Sequence, residues 1–201
     1  MNSTPRTHGH HHRLDHPSSL FGHLLARWPA VLGLLALLTN TADGAESHVV
    51  ALIIITATVC YVGAAALGFR RAGWIMVGIS SVVIVVTALL GLDQILALLV
   101  LGTALAVVGF LRGPVIDRRE HALQVIGFIA FSGLALIAMM SAPVLAMVLA
   151  AAVAIGHAVW DVVYFVRDTV IDRSLTEFCF VLDLGLGVAL LLTAGNVLPL
   201  Q

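Results

Sequence analysis

The sequence predicts an all-α bundle of transmembrane helices: a polytopic protein of seven spans, with six as the alternative. Three observations carry that reading: the composition, a series of long apolar runs, and arginines confined to alternate loops. Of the 201 residues, 60% are apolar and only 10% charged, and the mean hydropathy is +1.06. A soluble domain carries about 25% charged residues. Seven crossings at about 20 residues each occupy about 140 positions, which leaves only a tail and short loops. A soluble globular fold and a nucleotide-binding domain are thereby excluded, as are collagen-like, disulfide-rich and disordered classes.

The apolar runs fall at about 19–41, 48–69, 72–92, 95–111, 122–141, 143–166 and 175–195,. The first is the weakest, because only eleven residues separate Trp28 from Asn40. It therefore has to begin near Leu20, with Arg27 snorkelling toward water and Pro29 tolerated inside the span. If it lay flat at the interface, the second run would have to start and end on the same side, so seven spans fit better than six. Ala42-Asp43-Gly44-Ala45 offers a weak cleavage pattern after this run. The histidine-rich leader is a poor signal n-region, so the run reads as retained.

All ten basic residues are arginine. Arg6, Arg13 and Arg27 precede the first run, Arg70 and Arg71 follow the second, Arg112, Arg118 and Arg119 follow the fourth, and Arg167 and Arg173 follow the sixth. The alternate loops contain none. The positive-inside rule makes the arginine side cytoplasmic, which puts the N-terminus inside and the C-terminus outside. Trp28, Trp74 and Trp160 lie near the same ends as interfacial anchors. Arginine in place of lysine points to GC-rich coding and a bacterial plasma membrane. A net charge of −1 gives no reason to expect nucleic acid. The expected partners are membrane lipids and other membrane subunits or a second copy. Cys60 and Cys179 sit in apolar runs and read as small core residues.

Two arginine-side segments repeat. Residues 112–118 are Arg-Gly-Pro-Val-Ile-Asp-Arg and residues 167–173 are Arg-Asp-Thr-Val-Ile-Asp-Arg, matching at five of seven positions. Phe110 and Phe165 share the offset of 55. Capping patterns follow in both, Asp117-x-x-Glu120 and Ser174-x-x-Glu177. The pattern suggests a parallel repeat of helix pairs, 95–140 and 143–195. Such pairs with short outer turns over residues 72–166 resemble the acid-resistance (HdeD-like) multi-pass membrane proteins. The resemblance rests on apolar rhythm alone and implies a small helical bundle but no activity. The seventh run and its acidic residues depart from it.

Polar residues inside apolar runs are costly and are often functional. Here they gather on the last hairpin. His157, Asp161, Tyr164 and Asp168 share one helical face, and Thr176, Phe180, Asp183 and Gly187 share another. His157 lies thirteen residues before Val170 and Asp183 thirteen after it. An antiparallel hairpin turning there brings the two to one depth as an intramembrane polar pair, with Asp161, Tyr164 and Thr176 as its supporting face. Gly185 and Gly187 allow a neighbouring helix to approach. The pair reads either as a structural clamp or as a proton relay.

A different polar group lies at the start. His8, His10, His11, His12 and His16 make residues 1–18 a disordered, histidine-rich cytoplasmic tail able to take a divalent metal. Residues 19–196 then form a single transmembrane domain. No His-Glu-x-x-His, Cys-x-x-Cys or phosphate-binding glycine loop is present,. His48 and His157 differ in depth, which disfavours haem. Ser80 is best explained as bonding its own helix backbone, so no catalytic residue is assigned and an enzyme is not the expectation. The leading expectation is an accessory or structural component of a membrane complex, on the grounds that the first five runs are poor in buried polar groups. The alternative is a small proton-coupled transporter using the last hairpin. A membrane-embedded enzyme or redox protein is the second alternative.

Overall fold

The computed structural model describes residues 27–42, 44–112 and 117–197. All of its regular structure is helical, in seven helices: α1 Trp28–Thr41, α2 Ser47–Leu67, α3 Ala72–Leu89, α4 Gln94–Leu111, α5 Arg118–Met139, α6 Pro143–Arg167 and α7 Arg173–Val197. Six of them, α2 to α7, are long and apolar enough to cross a membrane. The chain is a polytopic α-helical membrane protein. Helix α1 has 14 residues; Arg27 before it is not helical and Pro29 sits in its first turn, so the proline opens this helix rather than lying inside the span as expected,. The stretch near Leu20 where the first span is expected to begin, and the histidine-rich tail, lie outside the described residues.

Local chemistry sets the helix ends. Gly68 closes α2 in the left-handed region, at φ 77°, where a side chain would be strained, and donates its N–H to the Ala64 carbonyl at 3.0 Å,. The Asp93 carboxylate accepts from Leu96 N–H at the start of α4. Asp117 likewise accepts from the N–H groups of Arg119 and Glu120 at the start of α5,. Pro143 opens α6, where no N–H is needed,.

α2 is the axis of the bundle. Most of its length is buried, on all faces, as expected of a helix apolar all round. Helices α3 to α7 pack around it, and α1 lies on α7. Two glycines set the closest crossings. A methyl group on Gly33 would lie 2.7 Å from the Phe178 carbonyl oxygen of α7. One on Gly187 would lie 3.1 Å from the Ala151 carbonyl oxygen of α6. The α6–α7 hairpin is the most extensive packing in the fold. Cys60 and Cys179 are free thiols in one apolar cluster with Tyr61 and Tyr164.

The described arginines lie at one end of the bundle, and four of them tie its segments together by ion pairs. Arg70 pairs with Asp168 and, at 3.8 Å, with Asp172; Arg173 pairs with Asp168 at 3.2 Å; Arg167 pairs with Glu120; Arg27 pairs with Glu177 at 3.2 Å. The repeated sequence is visible here as well, since Asp117 and Asp172 each immediately precede a helix. The helices themselves pack differently, for α4 and α5 touch far less than α6 and α7 do. Residues 113–116, inside the first copy, lie outside the described residues.

One capping expectation is corrected. Ser174 does not cap α7, which already begins at Arg173; its hydroxyl instead accepts the indole N–H of Trp74 at 2.9 Å. Trp160 packs against Phe131 and Tyr164 between α5 and α6, at ring separations of 5.9 and 5.3 Å.

Candidate functional site

His157 and Asp161 are four residues apart on α6 and so share a face. Both are fully buried, and Asp183 of α7 is 1% exposed. Asp183 is the eleventh residue of the 25-residue α7 and His157 the fifteenth of the 25-residue α6. Both therefore lie near the middle of a span. The antiparallel hairpin brings His157 Nδ1 to 2.8 Å from Asp183 Oδ2. The same nitrogen is 3.5 Å from Asp161 Oδ2. The Tyr61 hydroxyl, on α2, donates to Asp161 Oδ1 at 2.7 Å. Tyr61 and Phe131 meet the imidazole edge to face, at 5.7 and 5.1 Å.

This constellation is only partly satisfied. Asp161 Oδ2, Asp183 Oδ1 and His157 Nε2 have no hydrogen-bond partner among the described residues. Incompletely paired carboxylates are expensive in hydrocarbon, which makes the triad the candidate polar site of the bundle. One ligand atom from each of the three residues lies within 4.8 Å of the other two, and an imidazole with two carboxylates is a metal-binding donor set.

Two clefts approach the triad. One, of about 290 Å³, is lined by Asp161 and Thr176 and extends to Arg27 and Glu177 at the arginine end. The other, of about 300 Å³, is lined by Asp183, Cys179, Cys60 and Thr56 and extends to Asn40. It lies among α1, α2, α3 and α7 and is largely apolar.

The other residues of the expected polar face are placed differently. Tyr164 donates to Glu120 at 3.3 Å and sits under the Arg167 guanidinium. Thr176 bonds the Arg173 carbonyl of its own helix while lining the first cleft. Asp168 belongs to the arginine network.

The expectation that the early spans lack buried polar groups does not hold. Thr58, Ser80, His121, Gln124 and Ser132 are all buried. His121 Nε2 lies 3.0 Å from the Ala106 carbonyl oxygen, and Thr58 and Ser132 share a 3.4 Å contact. Among the described residues both side-chain polar atoms of Gln124 lack a hydrogen-bond partner, as does the Ser80 hydroxyl, so Ser80 does not bond its own backbone. Thr58 and Gln124 line a small gap shared with Tyr61 and His157, too narrow for a water molecule.

The divalent-metal expectation for His8, His10, His11, His12 and His16 is also corrected. The candidate metal-binding group is His157, Asp161 and Asp183 in the C-terminal helices, and the tail lies outside the described residues. The sequence reading missed Tyr61 as a site residue. Its signal was a phenol in the middle of an otherwise apolar run, which usually finds a partner when buried.

No family model matches the chain, and neither a curated protein nor a solved structure does. The site therefore stands on its own geometry.

Proposed function

We propose that this protein is a small proton-coupled transporter whose exchange site is His157, Asp161 and Asp183. The observation that carries the reading is a buried, incompletely satisfied triad with one cleft reaching Asp161 and another reaching Asp183. Transporters commonly place the coupling site near mid-bilayer and approach it from two sides. The proton is held between His157 Nδ1 and Asp183, 2.8 Å apart. Asp161, oriented by Tyr61, is the second acceptor within reach of the same nitrogen. The accessory-component reading loses its main support, because the early spans do contain buried polar groups.

The arginine end is the cytoplasmic end in this proposal, by the positive-inside rule. The cleft at Asp161 then faces the cytoplasm and the cleft at Asp183 the other side. The test is reconstitution into liposomes with an imposed pH gradient and an internal pH-sensitive dye. Asp183→Asn and His157→Phe should each lower proton flux at least tenfold while retaining the helical spectrum. Wild-type flux from a folded Asp183→Leu protein would mean that the triad is a structural clamp only.

A further inference from the structure

We infer that the species exchanged at the triad is a divalent transition-metal cation, held by His157 Nδ1 and one carboxylate oxygen each from Asp161 and Asp183. The inference rests on the transporter reading above and names its substrate class.

Spacing is the first argument. In a tetrahedral site with bonds of about 2.0–2.1 Å, neighbouring ligand atoms lie about 3.3 Å apart. His157 Nδ1 is 2.8 Å from Asp183 Oδ2 and 3.5 Å from Asp161 Oδ2. These two edges bracket that spacing, and all three ligand atoms lie within 4.8 Å of one another, so modest side-chain adjustment brings them around one ion.

Charge partnership is the second. Glu120, Asp168, Asp172 and Glu177 each pair with an arginine, and Asp93 and Asp117 cap helices. Asp161 and Asp183 instead face one shared imidazole, and each keeps a buried oxygen with no hydrogen-bond partner among the described residues. Two carboxylates and a neutral imidazole balance the charge of one dication.

The third argument is orientation. The Tyr61 hydroxyl takes Asp161 Oδ1 and turns Oδ2 toward His157, as outer partners of metal ligands do. The mixed nitrogen and oxygen donors suit zinc or manganese. Magnesium and calcium favour oxygen shells of six or more ligands. Three protein ligands leave a position open, which lets an ion enter from one cleft and leave by the other.

The experiment uses the full chain in detergent at fixed pH, with bound Zn²⁺ counted by metal analysis and affinity read by titration. The Asp161→Asn/Asp183→Asn double variant should bind one zinc fewer than wild type. The N-terminal histidines are present in both proteins and cancel in the difference. Tyr61→Phe should weaken the site about tenfold, and excess Mg²⁺ should not compete. If the double variant does not fold, Asp183→Cys keeps a ligand and should shift preference from Mn²⁺ toward Cd²⁺. Equal zinc counts in wild type and folded double variant, or an unchanged preference in Asp183→Cys, would overturn the inference. Proton flux still dependent on Asp183 would then leave the transporter reading standing with another substrate. Zinc bound at the triad but not taken up by liposomes under a pH gradient would instead overturn transport, making the metal a resident one.

Discussion

At Asp183 one carboxylate oxygen has the His157 imidazole at 2.8 Å and the other has no hydrogen-bond partner among the described residues. At Asp161 one oxygen has the Tyr61 hydroxyl at 2.7 Å, and the second has only the more distant imidazole. These single contacts decide what each substitution does. Tyr61→Phe removes a donor from a fully buried carboxylate and should destabilise the folded protein by about 1–3 kcal/mol. The change should be seen as an earlier unfolding midpoint in mixed detergent, and an unchanged midpoint would mean that the phenol does not support Asp161. Part of this arrangement was legible in the sequence. Two residues thirteen positions either side of a turn at Val170 must reach one depth on antiparallel helices, and a carboxylate there needs a partner. Asp161 was legible as a member of the His157 face but not as a member of the triad. Tyr61 was legible only as a phenol in need of a partner; which partner it meets depends on which face α2 turns to α6, and a helix buried all round carries no periodic signal to say so.

Among the elements, the α6–α7 hairpin holds the site and Gly187 holds the hairpin. Its backbone meets Ala151 of α6 where a methyl group would lie 3.1 Å from a carbonyl oxygen. Gly187→Val should therefore pry the helices apart, at a cost of about 1–3 kcal/mol, and loosen the His157–Asp183 contact with them. The expected result is a lower unfolding midpoint together with reduced proton flux. A midpoint equal to that of wild type would show that the crossing tolerates a side chain. The turn between these helices is itself constrained. Asp168 and Val170 adopt φ of 51° and 67°, a region unfavourable for a β-branched residue such as valine. Arg70 and Arg173 grip Asp168 from outside. The helix boundaries were legible from apolar runs and from caps such as Asp117. The cap at Ser174 was misread because a Ser-x-x-Glu pattern also occurs one residue inside a helix, where the hydroxyl is free to serve a tryptophan from α3. The seven-residue repeat was legible as two aspartates each just before a helix, but the equivalent helix pairs it suggested pack unequally, α4 on α5 far less than α6 on α7.

For the whole molecule, the arginine loops lie at one end because their ion pairs reach across from loop to loop. Single-cysteine labelling tests which side of the membrane that end faces. A membrane-impermeant maleimide should modify Ser141→Cys in intact cells and Arg71→Cys only after permeabilisation. The buried Cys60 and Cys179 give little background. The reverse pattern would turn the bundle over and exchange the two clefts. The gross plan was legible because hydropathy and arginine placement act on whole segments. The central position of α2 was not legible, since all the long runs are similarly apolar and only packing selects the one to be enclosed.

The pairing of α1 with α7 has a consequence in time. Ribosomes deliver this chain from its start, at about 5–20 residues per second, so the helix that receives α1 is the last of the seven to enter the bilayer. The same helix brings Asp183. For about one to four seconds after Asp161 is made, its carboxylate has only Tyr61 and His157 for company, and α1 is without its main neighbour. A chain stalled in that interval displays an unfinished ionic site and an unpacked helix together.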